Sequence, residues 1–549
     1  MICVHAGSIS PYREVLDLLQ TDNHERFTVL VSDPLSSEGL APLLKVPHIR
    51  VIERSLDQFE EPLPGIDALI VRSATVVTKE ALAQMPDLKL IGRAGVGTDN
   101  IDVEAATERG VIVVNAPDGN TISTCEHTFA MMMALMRNIP QAHASVRSGE
   151  WNRKKFEGAE LYGKTLGIIG FGRIGSEIAA RARAFRMKVM VYDPFLTAER
   201  ANKAGVKAAL LEDVLEQADI LTVHTPLVKE TRGLINRTTI ARMKKGAFLL
   251  NCARGGIVDE AALAAALESG QLAGAALDVF ESEPLGDSPL RQMNQVILTP
   301  HIAASTKEAQ QSVARQVSEE IIAFSEGRTV THGLNFPHIP GEQFDKIRPF
   351  YDLAVKMGKM ASNFMRVPVK NLSVSYSGEI AEQDTTLLTR AALKGFFKNR
   401  IDSYVNDVNV SYISKERGVS WSEKRSQEET GYQNLISITV EGEDHFFSLT
   451  GTSNRDFGLR FLKIDDFSAD FQPSEHQLFI SHTDKPGVIG SVGQLLGTHD
   501  VNIATMHVGR KSEGGEAMMM LTVDKEISSE TASALQKTKE INRVIVLEL

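Results

Sequence analysis

A strand-turn-helix-strand cassette from Lys164 to Asp193 constrains this chain most, and it lies in the middle of the sequence. Leu166, Gly167, Ile168 and Ile169 read as a buried strand, Gly170-Phe171-Gly172-Arg173-Ile174-Gly175 matches GxGxxG, and Ile174 to Phe185 continues at helical period. A second apolar strand, Met187 to Tyr192, ends at Asp193. Glycines in such a turn let the backbone approach a pyrophosphate, which rests on the N–H groups and positive end of the new helix. A carboxylate about 20 residues further on accepts hydrogen bonds from the ribose hydroxyls and repels a 2'-phosphate, so the cassette predicts NAD rather than NADP. A lone GxGxxG is often only a turn, but strand, glycines, helix, second strand and acid together form the full fingerprint.

With 549 residues the chain exceeds one core, and ordinary domain size predicts roughly three or four domains. Hydrophobic residues at 43% and charged residues at 23% exclude a disordered composition, and no apolar run reaches membrane-spanning length. A net charge of -11 argues against non-specific nucleic-acid binding, although Arg153-Lys154-Lys155 could attract a small anion. Cys3, Cys125 and Cys252 lie far apart without metal-ligand spacing, so neither a disulfide framework nor a metal site is expected, and a reducing cytoplasm fits. Met1 to Val4 read as the start of a short strand with no basic region before it, so no secretory signal is expected.

Upstream of the cassette, apolar strands at 27–31, 68–71, 88–91 and 111–114 alternate with helical stretches, which signals a parallel α/β unit. Downstream, strands at 220–223, 247–250, 273–277 and 296–298 resume the alternation, and a helix to about Phe324 is expected to return to the first lobe. The fold expected is therefore α/β with two Rossmann-like lobes, the nucleotide-binding domain being inserted in a substrate domain, with a cleft between them. An α+β intervening domain and a ferredoxin-like βαββαβ unit follow. The expected boundaries are 1–98 with 300–332 for the substrate lobe, 99–299 for the nucleotide lobe, 335–470 for the intervening domain and 475–549 for the last unit. Gly333, Pro337, Pro340 and Gly341 mark the linker.

Three polar residues follow the cassette in telling settings. Arg254 lies just past a buried strand, at the carboxyl end of the sheet, where its guanidinium can grip a carboxylate in bidentate fashion. Glu283, before Pro284, lies beyond another strand, and His301 follows Thr299-Pro300. A His held by a buried carboxylate makes a plausible acid-base unit. Each alone is more often structural, so the residues by themselves reach an NAD cleft with an anion clamp and a His/Glu pair, and stop there.

The ordered segments GFGRIG, HTPL at His224 to Leu227, NCARGGIVDE at Asn251 to Glu260, ALDVFESEPL and PHIAAST resemble the D-isomer-specific 2-hydroxyacid dehydrogenases. Val71-Arg72-Ser73-Ala74-Thr75 and the loop Gly92 to Asn100 resemble the substrate-lobe segments of those members that oxidise D-3-phosphoglycerate. The resemblance covers roughly residues 1 to 330 and implies that His301 moves the proton, Glu283 is its partner, and Arg254 binds substrate carboxylate and carbonyl oxygen together with the Val96 and Gly97 amides. It implies that Thr75, Gly170, Gly172, Arg173, Ile174, Gly175, Asp193, Thr225, Cys252, Arg254, Asp278 and His301 line the NAD site, with Asp278 near the nicotinamide carboxamide. Ala303 departs from the Gly that relatives often carry. Arg54, Arg72 and Arg137, with Asn100 as a neutral helper, are the candidates for the substrate phosphate, and each could equally be a surface cation.

His482-Thr483-Asp484-Lys485-Pro486-Gly487, followed by Val501-Asn502-Ile503, resembles an ACT domain, a module that often binds an amino acid between paired copies. His482, Asp484 and Asn502 match its polar positions, which implies L-serine as effector and a homodimer or homotetramer. Residues 335–470 resemble the extra domain of the long family members by position and length. The activity implied is NAD-dependent oxidation of 3-phosphoglycerate to 3-phosphohydroxypyruvate, opening serine synthesis. A hydroxypyruvate or glyoxylate reductase of the same family, or a non-catalytic NAD-sensing corepressor, remains the alternative.

Overall fold

Short apolar runs alternate with helices through the first 300 residues, and in the computed structural model they build two parallel sheets. The structure describes residues 26–59, 62–337, 339, 341–426, 431–454 and 456–549. The strand expected at Met1 to Val4 and the Pro340 of the linker lie outside them. The first sheet contains β1 (Phe27–Val31), β2 (Ile49–Glu53), β3 (Ala68–Val71), β4 (Leu90–Arg93) and β5 (Ile112–Asn115) in the order β2-β1-β3-β4-β5. Ala68, Leu69, Ile70 and Val71 have no exposed surface, as a parallel strand covered on both faces requires. Strand β2 was not expected, because Arg50 and Glu53 interrupt its apolar pattern at an edge position.

β5 corrects one expected boundary. Residues 112–115 pair with β4 in the first sheet, so that lobe runs past residue 98, and the crossing to the nucleotide lobe falls between Asn115 and the helix Thr121–Met136. The strand expected at 111–114 is the last of the first sheet, and a boundary at 98 would cut it from its partner β4. The helix Lys307–Ser325, capped by Thr306, lays Val313, Val317 and Ile321 back onto the first lobe's core.

The second sheet contains β6 (Thr165–Ile169), β7 (Lys188–Tyr192), β8 (Lys207–Ala208), β9 (Ile220–Val223), β10 (Ala247–Asn251), β11 (Leu272–Leu277) and β12 (Val296–Leu298). Their order is β12-β11-β10-β9-β6-β7-β8, so the direction of winding reverses between β6 and β9. Ligands of open α/β sheets bind at such a switch point, beyond the carboxyl ends of the strands.

Beyond the linker, β13 (Val369–Gly378), β14 (Ser420–Ser426), β15 (Asn434–Gly442), β16 (Phe446–Asn454), β17 (Gly458–Ile464) and β18 (Phe467–Phe471) form a mixed sheet under the helices Gly341–Phe364 and Thr386–Phe397. The last unit is ferredoxin-like, with β19 (His476–Thr483), β20 (Ile503–Arg510), β21 (Glu516–Val523) and β22 (Ile541–Glu548) in the order β20-β21-β19-β22. One face of its sheet packs Leu478, Ile480, Met519 and Leu521 on its own helices. The alternate residues Phe479, Met518, Met520, Ile545 and Leu547 join the intervening domain's core, where the Phe364 and Phe479 rings lie 4.7 Å apart. The intervening domain in turn meets the first lobe through Tyr412 Oη, which donates to Glu108 at 2.7 Å. Among the described residues, no helix is long and apolar enough to cross a membrane.

Candidate active site

The glycine turn forms as its spacing requires. Gly170 adopts φ 96°, and a Cβ there would lie 2.5 Å from His224 O, so a side chain is excluded on both conformational and steric grounds. Gly172 faces open space, and the helix Arg173–Ala184 begins immediately after it. Asp193 is half-buried beside the turn, with Oδ2 accepting from Phe171 N at 2.7 Å and Oδ1 from Phe195 N at 2.8 Å. The Thr225 hydroxyl, past β9 at the switch point, is buried without a hydrogen-bond partner. An open glycine face, a helix N-terminus without a side-chain cap, a carboxylate and an orphaned hydroxyl fit a dinucleotide. Arg173 Nε pairs with Asp118 at 2.5 Å, and Ile174 packs under the turn. Cys252 is buried, and burial pushes its thiol up to about 12, so it contributes packing rather than a thiolate.

His301 and Glu283 meet. His301 Nδ1 lies 2.7 Å from Glu283 Oε2, and Glu283 Oε1 accepts from Phe280 N at 3.0 Å. The other ring nitrogen, Nε2, remains for a ligand. The carboxylate is not the buried one expected, since the side chains of His301 and Glu283 are 46% and 36% exposed at the cleft wall. His301 itself sits at φ 53°, in a left-handed conformation that non-glycine residues rarely adopt and that surrounding contacts must hold.

Asp278 does that holding. Its oxygens accept from Thr299 Oγ1 at 2.6 Å and from the amides of Ile302 and Ala303 at 2.9 Å each, and His127 Nε2 lies 3.3 Å away. Burial pushes this carboxyl up, but the hydrogen bonds from His127, Thr299, Ile302 and Ala303 outweigh it and hold the group below the usual aspartate range. The expected role beside the nicotinamide therefore shares this carboxylate with a structural one, the shaping of the loop that carries His301. His127 was missed, although a lone His in the apolar stretch Thr124 to Met136 was its signal.

Arg254 spans the two lobes. Its Nε donates to Asp99 Oδ2 at 2.9 Å, Nη1 donates to Ala253 O at 2.7 Å, and Nη2 sits against the first-lobe loop so closely that a Cβ on Gly97 would collide with it. Val96 O accepts from Asn115 Nδ2 at 2.7 Å, which fixes that loop with its amides available.

Of the other expected ligands, Thr75 and Asn100 make hydrogen bonds within the first lobe. Thr75 is buried with its hydroxyl 2.8 Å from both Asp33 Oδ1 and Ser32 Oγ. Asn100 uses its amide group to clip Arg72 O at 2.7 Å and Thr75 O at 2.6 Å, so it shapes the loop rather than presenting a donor. Arg72 and Arg54 both follow strands at the carboxyl end of the first sheet, Arg54 lying over the Phe59 ring at 5.7 Å. Arg137 is not brought to them. It ends the helix Thr121–Met136, ten residues beyond His127 and so on the order of 15 Å further along the axis.

In the last unit, His482 is buried with Nε2 unpartnered, and Asp484 accepts from Arg510 at 3.1 Å and from Gly514 N at 3.3 Å. Asn502 instead donates to Asp524 at 2.7 Å. Thr483 pairs with Glu516 and Ile503 with Val523, so Asp484 and Asn502 stand at opposite ends of β21, roughly 20 Å apart at the usual strand rise. One chain does not bring these residues to one ligand.

Comparison with known proteins agrees with this architecture. The family model for the NAD binding domain of D-isomer specific 2-hydroxyacid dehydrogenases matches residues 129–303, that for the D-3-phosphoglycerate dehydrogenase intervening domain matches 346–465, and that for the ACT domain matches 476–540. D-3-phosphoglycerate dehydrogenase of Bacillus subtilis (strain 168) is 54% identical over 95% of this chain and 100% of its own length. The protein of the same name from Archaeoglobus fulgidus is 43% identical over 95% of this chain and 100% of its own length. Among solved structures, the TT0316 protein from Thermus thermophilus is 33% identical, with a TM-score of 0.52 over 56% of this chain and 100% of that one. Identity sustained over the whole length of such relatives leaves one assignment: the chain belongs to the D-3-phosphoglycerate dehydrogenases, within the NAD-dependent D-isomer specific 2-hydroxyacid dehydrogenases.

Proposed function

We propose that this chain oxidises D-3-phosphoglycerate to 3-phosphohydroxypyruvate at the cleft between its first two lobes. The observation that carries the reading is the His301–Glu283 pair at 2.7 Å, on a wall shared with an Arg254 that Asp99 holds across the cleft. Bound NAD supplies the hydride acceptor for carbon 2. Gly170 and Gly172 give its pyrophosphate a close backbone approach, Asp193 receives the ribose hydroxyls, and Thr225 is a further donor in the same site. Arg254 and the amides of Val96 and Gly97 grip the substrate carboxylate, which fixes carbon 2 and its hydroxyl. His301 Nε2 takes the hydroxyl proton, and Glu283, bonded to Nδ1, offsets the positive charge that forms on the ring.

The reaction opens serine synthesis, a cytoplasmic process in this reading, and L-serine acts back through the ACT domain. Asp484 and Asn502 serve one serine only if two chains pair, Asp484 from one and Asn502 from its partner, so a homodimer or homotetramer is the working form. The test is the initial rate of NAD reduction with 3-phosphoglycerate and with glycerate, each with and without L-serine. A strong preference for 3-phosphoglycerate and a serine-dependent loss of rate are expected. Equal kcat/KM for the two would instead support a reductase for unphosphorylated acids.

A further inference from the structure

The loop that carries His301 is held by a side chain that the steps above do not use. His127 lies in the second turn of the helix Thr121–Met136, which the chain enters after its first crossing between the lobes, whereas Thr299 stands where the chain begins its return. The His127 Nε2 is 3.2 Å from Thr299 Oγ1 and 3.3 Å from Asp278 Oδ1, and its side chain is only 18% exposed. Met131, one turn further along the same helix, brings Sδ to 3.8 Å from the same hydroxyl. The helix therefore meets Thr299 twice.

The hydrogens of this cluster can be placed. Thr299 Oγ1 gives its single proton to Asp278 Oδ1 at 2.6 Å, and the Asp278 carboxylate, kept ionised by its hydrogen bonds, can only accept. His127 Nε2 must then carry a hydrogen and donate, since neither neighbour has one left to offer. Of the four donors to Asp278 named above, Thr299, Ile302 and Ala303 belong to the loop itself, and His127 alone comes from another element. Thr299 O in turn accepts from the His301 amide at 3.0 Å. The bonds thus run from His127 through Thr299 to the backbone of His301, the residue whose φ of 53° depends on its surroundings.

We propose that His127 is a positioning residue for the proton transfer, its Nε2 hydrogen fixing Thr299 and Asp278 so that the His301 ring keeps its place against Glu283. The inference rests on the proposed oxidation of 3-phosphoglycerate, with His301 as acid-base group, and adds the element that holds that group still. The competing role is packing, in which His127 fills space beside Thr299 and any side chain of similar size serves.

The test compares His127→Leu and His127→Gln with the wild-type chain, using 3-phosphohydroxypyruvate and NADH, with an NADH titration to count intact sites and a thermal melt. Wild-type turnover is read first, and its absence removes the substrate assignment and this proposal with it. Given turnover, His127→Leu should lower kcat per NADH-binding site about 10-fold, the size of one charge-assisted hydrogen bond, while KM and NADH affinity change less than about 3-fold. His127→Gln should recover most of that loss, because its amide returns an N–H donor near the position of Nε2. Equal kcat per site in the two variants, or a loss confined to KM or to the thermal midpoint, overturns the proposal. If His127→Leu yields no NADH-binding sites, His127→Asn replaces it, its shorter amide falling short of Thr299. A kcat per site well below that of His127→Gln then supports the hydrogen bond, and equal values refute it.

Discussion

Asp99 and Arg254 come from different lobes, and their 2.9 Å ion pair ties the substrate loop of the first lobe to the anion clamp of the second. Both groups are partly solvated, so the pair adds little to global stability. Its consequence is geometric, because Arg254 Nε is spent on Asp99 and Nη1 on Ala253 O, which sets Nη2 against the first-lobe loop at Gly97.

Asp99→Asn should therefore leave folding nearly unchanged while lowering kcat/KM for 3-phosphohydroxypyruvate about 10-fold, through loss of one charge-assisted hydrogen bond that orients Arg254. Steady-state kinetics beside a thermal melt check this. Unchanged kcat/KM would show that Arg254 needs no partner from the first lobe.

Asp193→Asn keeps an acceptor for the Phe171 amide but removes the charge beside the ribose. The ratio of kcat/KM for NAD over NADP should fall roughly 10-fold, since the 2'-phosphate is no longer repelled. An unaltered cofactor ratio would place the ribose elsewhere.

Asp278 carries a pH signature. Its folded-state pKa is held below the ordinary aspartate range, so the unfolded chain takes up the proton first as pH falls, and the folded state loses stability. This contribution is fully present above the ordinary value of about 3.9 and disappears as pH drops through the lower folded value. Asp278→Asn should cost about 1–3 kcal/mol near neutrality by leaving donors of the 299–303 loop unpaired, and should flatten the acid limb of the stability profile. Urea midpoints across acidic pH measure both, and an identical acid limb in the variant would assign it to other carboxylates.

The separation of Asp484 from Asn502 predicts complementation. Asp484→Ala and Asn502→Ala chains should each lose serine inhibition alone, whereas co-expressed hybrids should recover part of it, because one interface then carries both intact side chains. Serine titration of the purified hybrid is the measurement, and recovery in neither species would relocate the effector site.

Much of this was legible before the fold was known. The cassette marked the dinucleotide turn because its glycines, helix and acid are local features, and Arg254, Glu283 and His301 stood out because each follows a run of apolar residues that ends at the carboxyl edge of a sheet. What stayed hidden was long-range. The Arg254 partner is 155 residues away, and the left-handed His301 is held by a carboxylate from the end of β11. The lobe boundary at residue 98 was also misplaced, although the apolar run at 111–114 already marked a further strand of the first unit. The shared core of the last two domains was equally silent, because Phe479, Met518 and Ile545 alternate as any buried strand residue does.

The most direct test of the central claim is the single-residue change His301→Ala, assayed with 3-phosphohydroxypyruvate and NADH together with a direct measurement of NADH affinity. The account predicts a kcat about 10²- to 10⁴-fold lower with NADH affinity largely intact, as expected when a positioned acid-base group is removed from an otherwise assembled cleft. A variant that keeps near-normal kcat would remove His301 from the reaction and contradict the mechanism.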